Sequence, residues 1–139
     1  TIRHGAVRAL EQVTQSGVRF LYPDALPFLR LLRKRGVRCV VFTYGDPRFQ
    51  RMKIASIPRH RTLFDRILVT TKSTKDLSMP HARGQVYIID NRPDVVLRAA
   101  RHGITPFLLL RDRSPIPRAY RGIAHRSLRT IATAITTTL

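Results

Sequence analysis

Apolar residues along the chain follow two spacings, one typical of helices and one typical of buried strands. Helical spacing, with apolar residues three or four positions apart, predicts helices over residues 6–15, 24–35, 48–55, 93–102 and 128–135. Runs rich in β-branched and aromatic residues predict strands over 37–43, 67–70, 85–90 and 104–110, with a short edge strand within 123–127. Strands and helices therefore alternate along the chain.

Polar residues and glycines mark the ends of several of these helices. Asp24 is placed to cap the helix that follows it, and the basic residues 33–35 suit that helix's C-terminal end. Gly36 and Gly103 end the helices that precede them, Pro93 occupies a first helical position, and Ser127 can cap the last helix. These signals support the helix boundaries.

The alternation of short strands and helices predicts an α/β fold. We expect a three-layer, Rossmann-like parallel sheet with helices on both faces and right-handed crossovers. In such sheets, ligands bind at the carboxyl ends of the strands. The residues that follow each strand are therefore the ones to inspect for chemistry.

Length and composition narrow the class of protein. A chain of 139 residues predicts one domain, and no apolar run reaches the roughly 20 residues that cross a bilayer. Cys39 is the single cysteine, which excludes an internal disulfide and a cysteine-based zinc site. The N-terminus has no apolar signal core, so we expect a cytoplasmic protein.

The charge is unusually positive. Lys and Arg number 26 against 8 Asp and Glu, a net charge of +18. Such a balance attracts polyanions and makes nucleic acid or an acidic protein a candidate partner. However, 22 of the 26 are Arg and they are spread along the whole chain, whereas dedicated DNA-binding segments concentrate their charge. A solvated basic surface with non-specific polyanion binding is the favoured interpretation.

Groups that suit a phosphate follow two of the predicted strands. Thr43 offers a hydroxyl, while Tyr44 and Gly45 offer backbone N–H groups. After the next strand, Lys72 or Lys75 offers a positive charge, and Lys72 lies closer to the strand end. Hydroxyl, amide and ammonium groups are the donors that phosphate oxygens accept from.

Two carboxylates follow a third strand. Asp90 ends this strand, and Asp94 lies four residues later in the first turn of the next helix. Paired carboxylates suit a hard cation such as Mg²⁺, which bridges to a phosphate. Capping of the helix and the helix dipole are the alternative roles for these acids. Together with the phosphate donors, they indicate a magnesium-dependent site for a small phosphorylated substrate.

The segments around these residues resemble a known family. LYPDALPFLRLL after Phe20, GVRCVVFT up to Thr43, FDRILVT up to Thr70 and VYIIDNRPDVVLRAARHG up to Gly103 look like the haloacid-dehalogenase-like (HAD) hydrolase superfamily. The resemblance runs from about residue 21 to residue 110. These segments contain matches to three of the family's short motifs. Each match is weak alone, but the three occur in the family's order and at fitting distances.

The resemblance implies roles for these residues. Thr43 matches the Ser or Thr that binds the phosphoryl group, and Lys72 or Lys75 matches the lysine that stabilises an aspartyl-phosphate. Asp90 and Asp94 match the acidic pair that holds Mg²⁺. One departure is Ile89, which stands where the family has a small residue.

The more serious departure is an absent motif. The family's nucleophile is the first aspartate of Asp-x-Asp-x-Thr on its first strand, and this sequence has no Asp-x-Asp. Residues 1–20 contain no Asp, and their pattern predicts a helix that is consistent with the end of a cap region. Residues 21–139 would then form an N-terminally incomplete core. Since Thr1 is not Met, a truncated sequence is favoured over a lost nucleophile, and either way the chain as given is expected to be inactive alone.

The absent motif has a structural consequence. In the family, the first strand lies between those that match 37–43 and 86–90. We therefore expect these two strands either to pair directly or to leave a gap, and the fragment to be poorly stable because unpaired strand edges are costly.

Two functions from different classes follow. The first is a HAD-like phosphatase that acts on a phosphomonoester through an aspartyl-phosphate. The second is a catalytically inactive HAD-like module whose basic surface contacts nucleic acid or an acidic partner. A receiver-like or nucleotide-binding domain is weaker than both, because no Gly-rich loop follows any strand.

Overall fold

The structure, a computed structural model, describes residues 21–72 and 84–139. The chain divides into two compact units, one up to Ser73 and one from Thr74. The first unit contains α1 (Ala25–Lys34), β1 (Val40–Tyr44), α2 (Pro47–Ala55), α3 (His60–Leu63) and β2 (Arg66–Thr70). The second contains β3 (Tyr87–Asp90), α4 (Pro93–Arg101), β4 (Thr105–Leu109), β5 (Ala124–His125) and α5 (Leu128–Thr136).

In the first unit, β1 and β2 form a parallel pair. Val40 is opposite Arg66 and Tyr44 is opposite Thr70, so the two strands end together. The short helix α3 contacts α1, and α2 packs against β2. Among the described residues of this unit, the buried apolar ones are Phe28, Leu32, Cys39, Ile54, Ile57 and Leu63.

Strand β1 begins three residues later than the sequence predicts. The reason is Asp65, whose carboxylate accepts a hydrogen bond from the N–H of Cys39 at 2.7 Å. The N–H of Asp65 in turn donates to the carbonyl oxygen of Cys39, also at 2.7 Å. These bonds connect Cys39 to Asp65, which lies between α3 and β2. The regular pairing of β1 with β2 therefore starts only at Val40.

The capping prediction for Asp24 was wrong in one respect. Asp24 does precede α1, but its side chain makes no capping hydrogen bond to that helix. Its backbone is helical, with φ −87° and ψ −5°, whereas a capping residue is normally extended. Asp46, by contrast, is extended, and its side chain caps α2 by accepting a hydrogen bond from the N–H of Phe49 at 2.8 Å.

The second unit is a three-stranded parallel sheet in the order β3-β4-β5. Helix α4 packs against β3 and β4, and α5 packs against β5. Val96, Leu108, Leu110 and Tyr120 form one buried cluster, with Ala124 against it. Ser127 caps α5 as predicted, accepting from the N–H of Thr130.

All strand pairs in the described residues are parallel, as the alternating pattern predicts. Each described strand is hydrogen-bonded within its own unit, β1 with β2, and β3 and β5 with β4. The helix predicted over 6–15 lies outside the described residues. In the described part of the chain, no helix is long and apolar enough to cross a membrane.

Candidate functional site

The turn after β1 holds the first group of predicted phosphate ligands. Thr43 is half-buried, and its hydroxyl donates to Oε1 of Gln50 at 3.2 Å. Tyr44 is exposed at the end of the strand. The N–H of Gly45 donates to the carbonyl oxygen of Thr70 at 3.1 Å. This N–H is therefore engaged by β2, and a phosphate oxygen would have to compete with Thr70 for it.

Gln50 is a site residue that the sequence analysis missed. It is the fourth residue of α2, and its amide accepts the hydrogen bond of the Thr43 hydroxyl and lies close beside Gly45. The side chain fixes the orientation of the threonine hydroxyl. The cap by Asp46 fixes the start of α2 and hence the position of Gln50.

Lys72 lies two residues beyond the end of β2. Its backbone N–H donates to the hydroxyl of Thr70 at 3.2 Å. Since Thr70 pairs with Tyr44, the segment that carries Lys72 leaves the sheet at the same edge as the turn after β1. The structure thus brings Thr43, Gly45 and Lys72 to one edge of the first unit. Lys75 lies outside the described residues.

Asp90 ends β3 and is the buried charged residue in the described part of the chain, at 8% exposure. Its Oδ1 accepts a hydrogen bond from the N–H of Arg92 at 2.9 Å. This bond closes a turn at the carboxyl end of β3 and leads the chain into α4. Burial of a carboxylate is costly unless it is hydrogen-bonded, and this turn supplies one bond.

Asp94 lies in the first turn of α4 and is held by two arginines. Arg92 donates from Nε at 3.1 Å and from Nη2 at 2.8 Å, a two-pronged contact. Nη2 of Arg98 lies 3.8 Å away. Partial desolvation raises the pKa of Asp94, but the Arg92 hydrogen bond and the two positive charges outweigh it and leave the pKa below its ordinary value.

Arg92 therefore connects the two acids: its backbone contacts Asp90 and its side chain contacts Asp94. The sequence analysis did not identify this role of Arg92. Its position two residues after one acid and two before the other is the signal that could have indicated this role.

The acidic pair suits a hard cation by its donor chemistry. Both acids supply carboxylate oxygens, the ligands that Mg²⁺ prefers. Arg92 is the competing partner of Asp94, so a cation would bind that carboxylate in place of the guanidinium. Among residues 21–72 and 84–139, no group of three His, Cys, Asp or Glu side chains gathers into a fuller metal site.

Comparisons with known proteins bear on the fold. No protein-family model and no curated protein sequence matches this chain. Its structure is similar to the crystal structure of the L-2-haloacid dehalogenase RSc1362, with a TM-score of 0.68 and 20% sequence identity. The chain has a HAD-like fold. The match covers 83% of this chain and 56% of the dehalogenase, so the chain spans little more than half of that protein.

At 20% sequence identity, the structural similarity establishes the fold of the chain but not its reaction. The predicted α/β, Rossmann-like class is confirmed. The roles of Thr43, Lys72, Asp90 and Asp94 stay predictions, as does the role of Lys75. The structure gives each of the first four its local partners, within its own unit.

Proposed function

We propose that this chain is the core of a HAD-like hydrolase, a magnesium-dependent phosphatase that acts on a phosphomonoester through an aspartyl-phosphate. The observation that carries the proposal is the position of the acids. Asp90 is buried at the carboxyl end of β3 and Asp94 follows one helical turn later, in a chain with a HAD-like fold. Strand carboxyl ends are where parallel α/β proteins bind ligands.

In the proposed reaction, the first unit binds the phosphoryl oxygens. The hydroxyl of Thr43, which in this structure donates its proton to Oε1 of Gln50, would turn from that amide and donate to one phosphoryl oxygen. The ammonium group of Lys72 would balance the charge that develops on the others. Donors fixed in position before the reaction stabilise a developing charge better than water does, and this is commonly the largest contribution to the rate.

Asp90 and Asp94 would hold Mg²⁺, which supplies charge neutralisation for the phosphoryl oxygens. Partial desolvation raises the pKa of Asp94, but the hydrogen bonds and charge of Arg92 outweigh it, and they also orient the carboxylate. Covalent catalysis also requires a carboxylate nucleophile. Since the sequence has no Asp-x-Asp, an aspartate outside these 139 residues would have to supply it.

The test is phosphate release from p-nitrophenyl phosphate by the full natural protein, with Mg²⁺ and with chelator. We expect Asp90→Asn to lower kcat at least about 100-fold, because a cation's charge stabilisation is worth several kcal/mol. Asn keeps the acceptor for the Arg92 N–H, so the turn after β3 should persist. Asp112→Asn is the matched control. Asp112 lies in an exposed loop, where it accepts a hydrogen bond from Ser114, and this substitution should leave kcat unchanged.

Two other outcomes would overturn the proposal. Turnover of 2-chloropropionate without Mg²⁺, and none of the phosphate ester, would favour the activity for which the structural neighbour is named. No turnover of either substrate, with salt-sensitive binding to nucleic acid, would favour the second candidate, a non-catalytic binding module. The net charge of +18 is the observation that favours that candidate.

A further inference from the structure

A concave pocket in the first unit lies away from the strand ends. It has a volume of about 470 Å³ and opens between α1 and the turn that leads into α3. Small-molecule sites in proteins are typically concave, mostly apolar and about 300–1,000 Å³ in volume. Three apolar residues and three arginines account for most of its lining: Leu26, Pro58, Leu63, Arg30, Arg33 and Arg59.

The three arginines differ in how their charges are balanced. Arg33 forms an ion pair with Asp65. Arg30 and Arg59 are exposed, and in the described parts of the chain neither forms an ion pair with a carboxylate. The pocket therefore presents two uncompensated guanidinium groups beside an apolar surface. An arginine fork matches the oxygens of a phosphate, to which it can donate two hydrogen bonds.

The backbone of Arg59 is held in an uncommon conformation. Its φ of +57° and ψ of 28° lie in the left-handed region, and it is the non-glycine residue with positive φ in the described residues. Thr62, which also lines the pocket, stabilises this conformation: its N–H and its hydroxyl both donate to the carbonyl oxygen of Arg59, at 2.9 and 2.8 Å. Such strained residues cluster at ligand sites, where the surrounding structure over-determines them.

From these observations we propose that the arginine pocket, lined by Arg30, Arg59 and the apolar residues between them, binds a phosphorylated small molecule of nucleotide size. The two uncompensated guanidinium groups bind the phosphate, and the apolar lining contacts the rest of the ligand. A phosphate monoester carries about two negative charges at neutral pH, which would balance the two positive charges of these arginines. The site uses none of the residues assigned to hydrolysis and does not depend on the proposed function.

The experiment is calorimetric titration of the full chain with adenosine 5′-monophosphate, with adenosine and inorganic phosphate as its two halves. We expect saturable binding of one nucleotide and weaker binding of each half. The variant Arg30→Gln/Arg59→Asn should weaken nucleotide binding at least about tenfold, since hydrogen bonds to charged groups are worth about one decade or more. Asn suits position 59 because it tolerates the left-handed region.

The matched control is Arg35→Gln/Arg61→Gln. Both arginines are exposed and neither lines the pocket. Arg35 directly follows α1 and Arg61 lies in α3, so this variant removes the same charge nearby. It should change nucleotide affinity less than about twofold, because exposed charges are screened by salt. Arg30→Gln alone, at an exposed helical position, should give part of the loss even if position 59 proves sensitive to substitution.

Three results would overturn the proposal. Equal weakening by both double variants would mean that the overall positive field attracts the nucleotide. Absence of saturation would mean that the pocket has no ligand of this class. Binding of a short single-stranded oligonucleotide that contains only phosphodiesters, with no binding of the mononucleotide, would assign the arginines to a nucleic-acid backbone.

Discussion

Gly45, at the end of β1, combines two constraints that a larger residue cannot meet. Its φ is +140°, and a Cβ atom there would lie 2.7 Å from Nε2 of Gln50. The amide can move, but the backbone conformation stays strained. We predict that Gly45→Ala lowers the free energy of unfolding by about 1–3 kcal/mol, measured by urea denaturation.

Gly36→Ala is the control for this prediction. Gly36 also has a positive φ, +76°, but nothing lies within 4 Å of the added Cβ. It should cost about 1–2 kcal/mol from backbone strain alone. Adding Gln50→Ala to Gly45→Ala removes the contact between the new Cβ and the Gln50 amide. It should therefore recover only the share of the lost free energy of unfolding that this contact causes. Equal stability of Gly45→Ala and the native protein would contradict the conformation described for this turn.

The ion pair between Arg33 and Asp65 predicts a pH dependence of stability. The Arg33 hydrogen bond, and then the N–H of Cys39, lower the pKa of Asp65 below its ordinary value of 3.8. A lowered pKa stabilises the fold above 3.8 and loses that contribution as the pH falls through the folded value. The stability advantage over Asp65→Asn should thus be constant at neutral pH and shrink below pH 3.8.

Urea denaturation of both proteins across this pH range measures that difference. Asp112→Asn is the comparison variant for a hydrogen-bonded carboxylate that has, among the described residues, no ion pair as close as that of Asp65. The pKa of Asp112 is also lowered, chiefly by its hydrogen bonds with Ser114 in an exposed loop. A difference between native and Asp65→Asn that does not change with pH would mean that Asp65 acts through packing and not through its charge.

At the scale of single residues, the sequence indicates the groups but not their partners. Thr43, Lys72 and Asp90 could be selected because each lies at or just beyond a strand end. Gln50 could not, because its contact with Thr43 depends on where α2 packs. Asp24 and Asp46 show the same limit: the choice between capping and not capping depends on backbone angles that a sequence does not specify.

At the scale of elements, helix α2 depends on its cap. Asp46 accepts the N–H of Phe49 at 2.8 Å, and the nine-residue helix is too short to be stable without tertiary packing. We predict that Asp46→Ala lowers the free energy of unfolding by about 1 kcal/mol. Asp46→Asn keeps the acceptor oxygen and should cost only a few tenths of a kcal/mol.

Thermal unfolding followed by circular dichroism measures both variants. In the proposed phosphatase, loss of the cap should also disturb the contact between Gln50 and Thr43, because α2 positions Gln50. Equal destabilisation by Ala and Asn would mean that the charge of Asp46, and not its acceptor oxygen, stabilises the helix start.

The long periodic elements could be predicted from sequence, and the short ones could not. Helix α4 and strand β4 each lie within about one residue of the expected bounds, because amphipathic and β-branched patterns are unambiguous there. The four-residue α3 carries no periodic signal and was missed. Residues 37–39 have strand composition but precede β1, since Asp65 takes the N–H of Cys39.

At the scale of the whole molecule, the alternating order of elements was enough to predict a parallel α/β fold, and the structural comparison confirms it. Sequence could not decide which strands are neighbours, because strand pairing depends on which edges remain free after folding. In the described residues β1 pairs with β2, and β3 and β5 pair with β4. The expected low stability of the isolated chain stays a prediction.

The net charge of +18 is also a whole-molecule property, and its arginines are spread along the sequence. We predict weak binding to nucleic acid without sequence preference, measured by fluorescence anisotropy with two labelled duplexes of different sequence. Contact with about six phosphates would lower affinity about 10³-fold between about 50 and 200 mM salt, through release of counterions. Both duplexes should give the same affinity and the same salt slope.

The two double variants used for the arginine pocket connect this prediction to a specific site. Each arginine that contacts phosphate contributes about one unit to the salt slope. Diffuse binding should therefore respond equally to Arg30→Gln/Arg59→Asn and to Arg35→Gln/Arg61→Gln, whereas nucleotide affinity should respond only to the first. A sequence preference would mean that the positive surface is a dedicated nucleic-acid site and not a solvated one, whereas an affinity that salt does not change would mean that positive charge does not drive the binding.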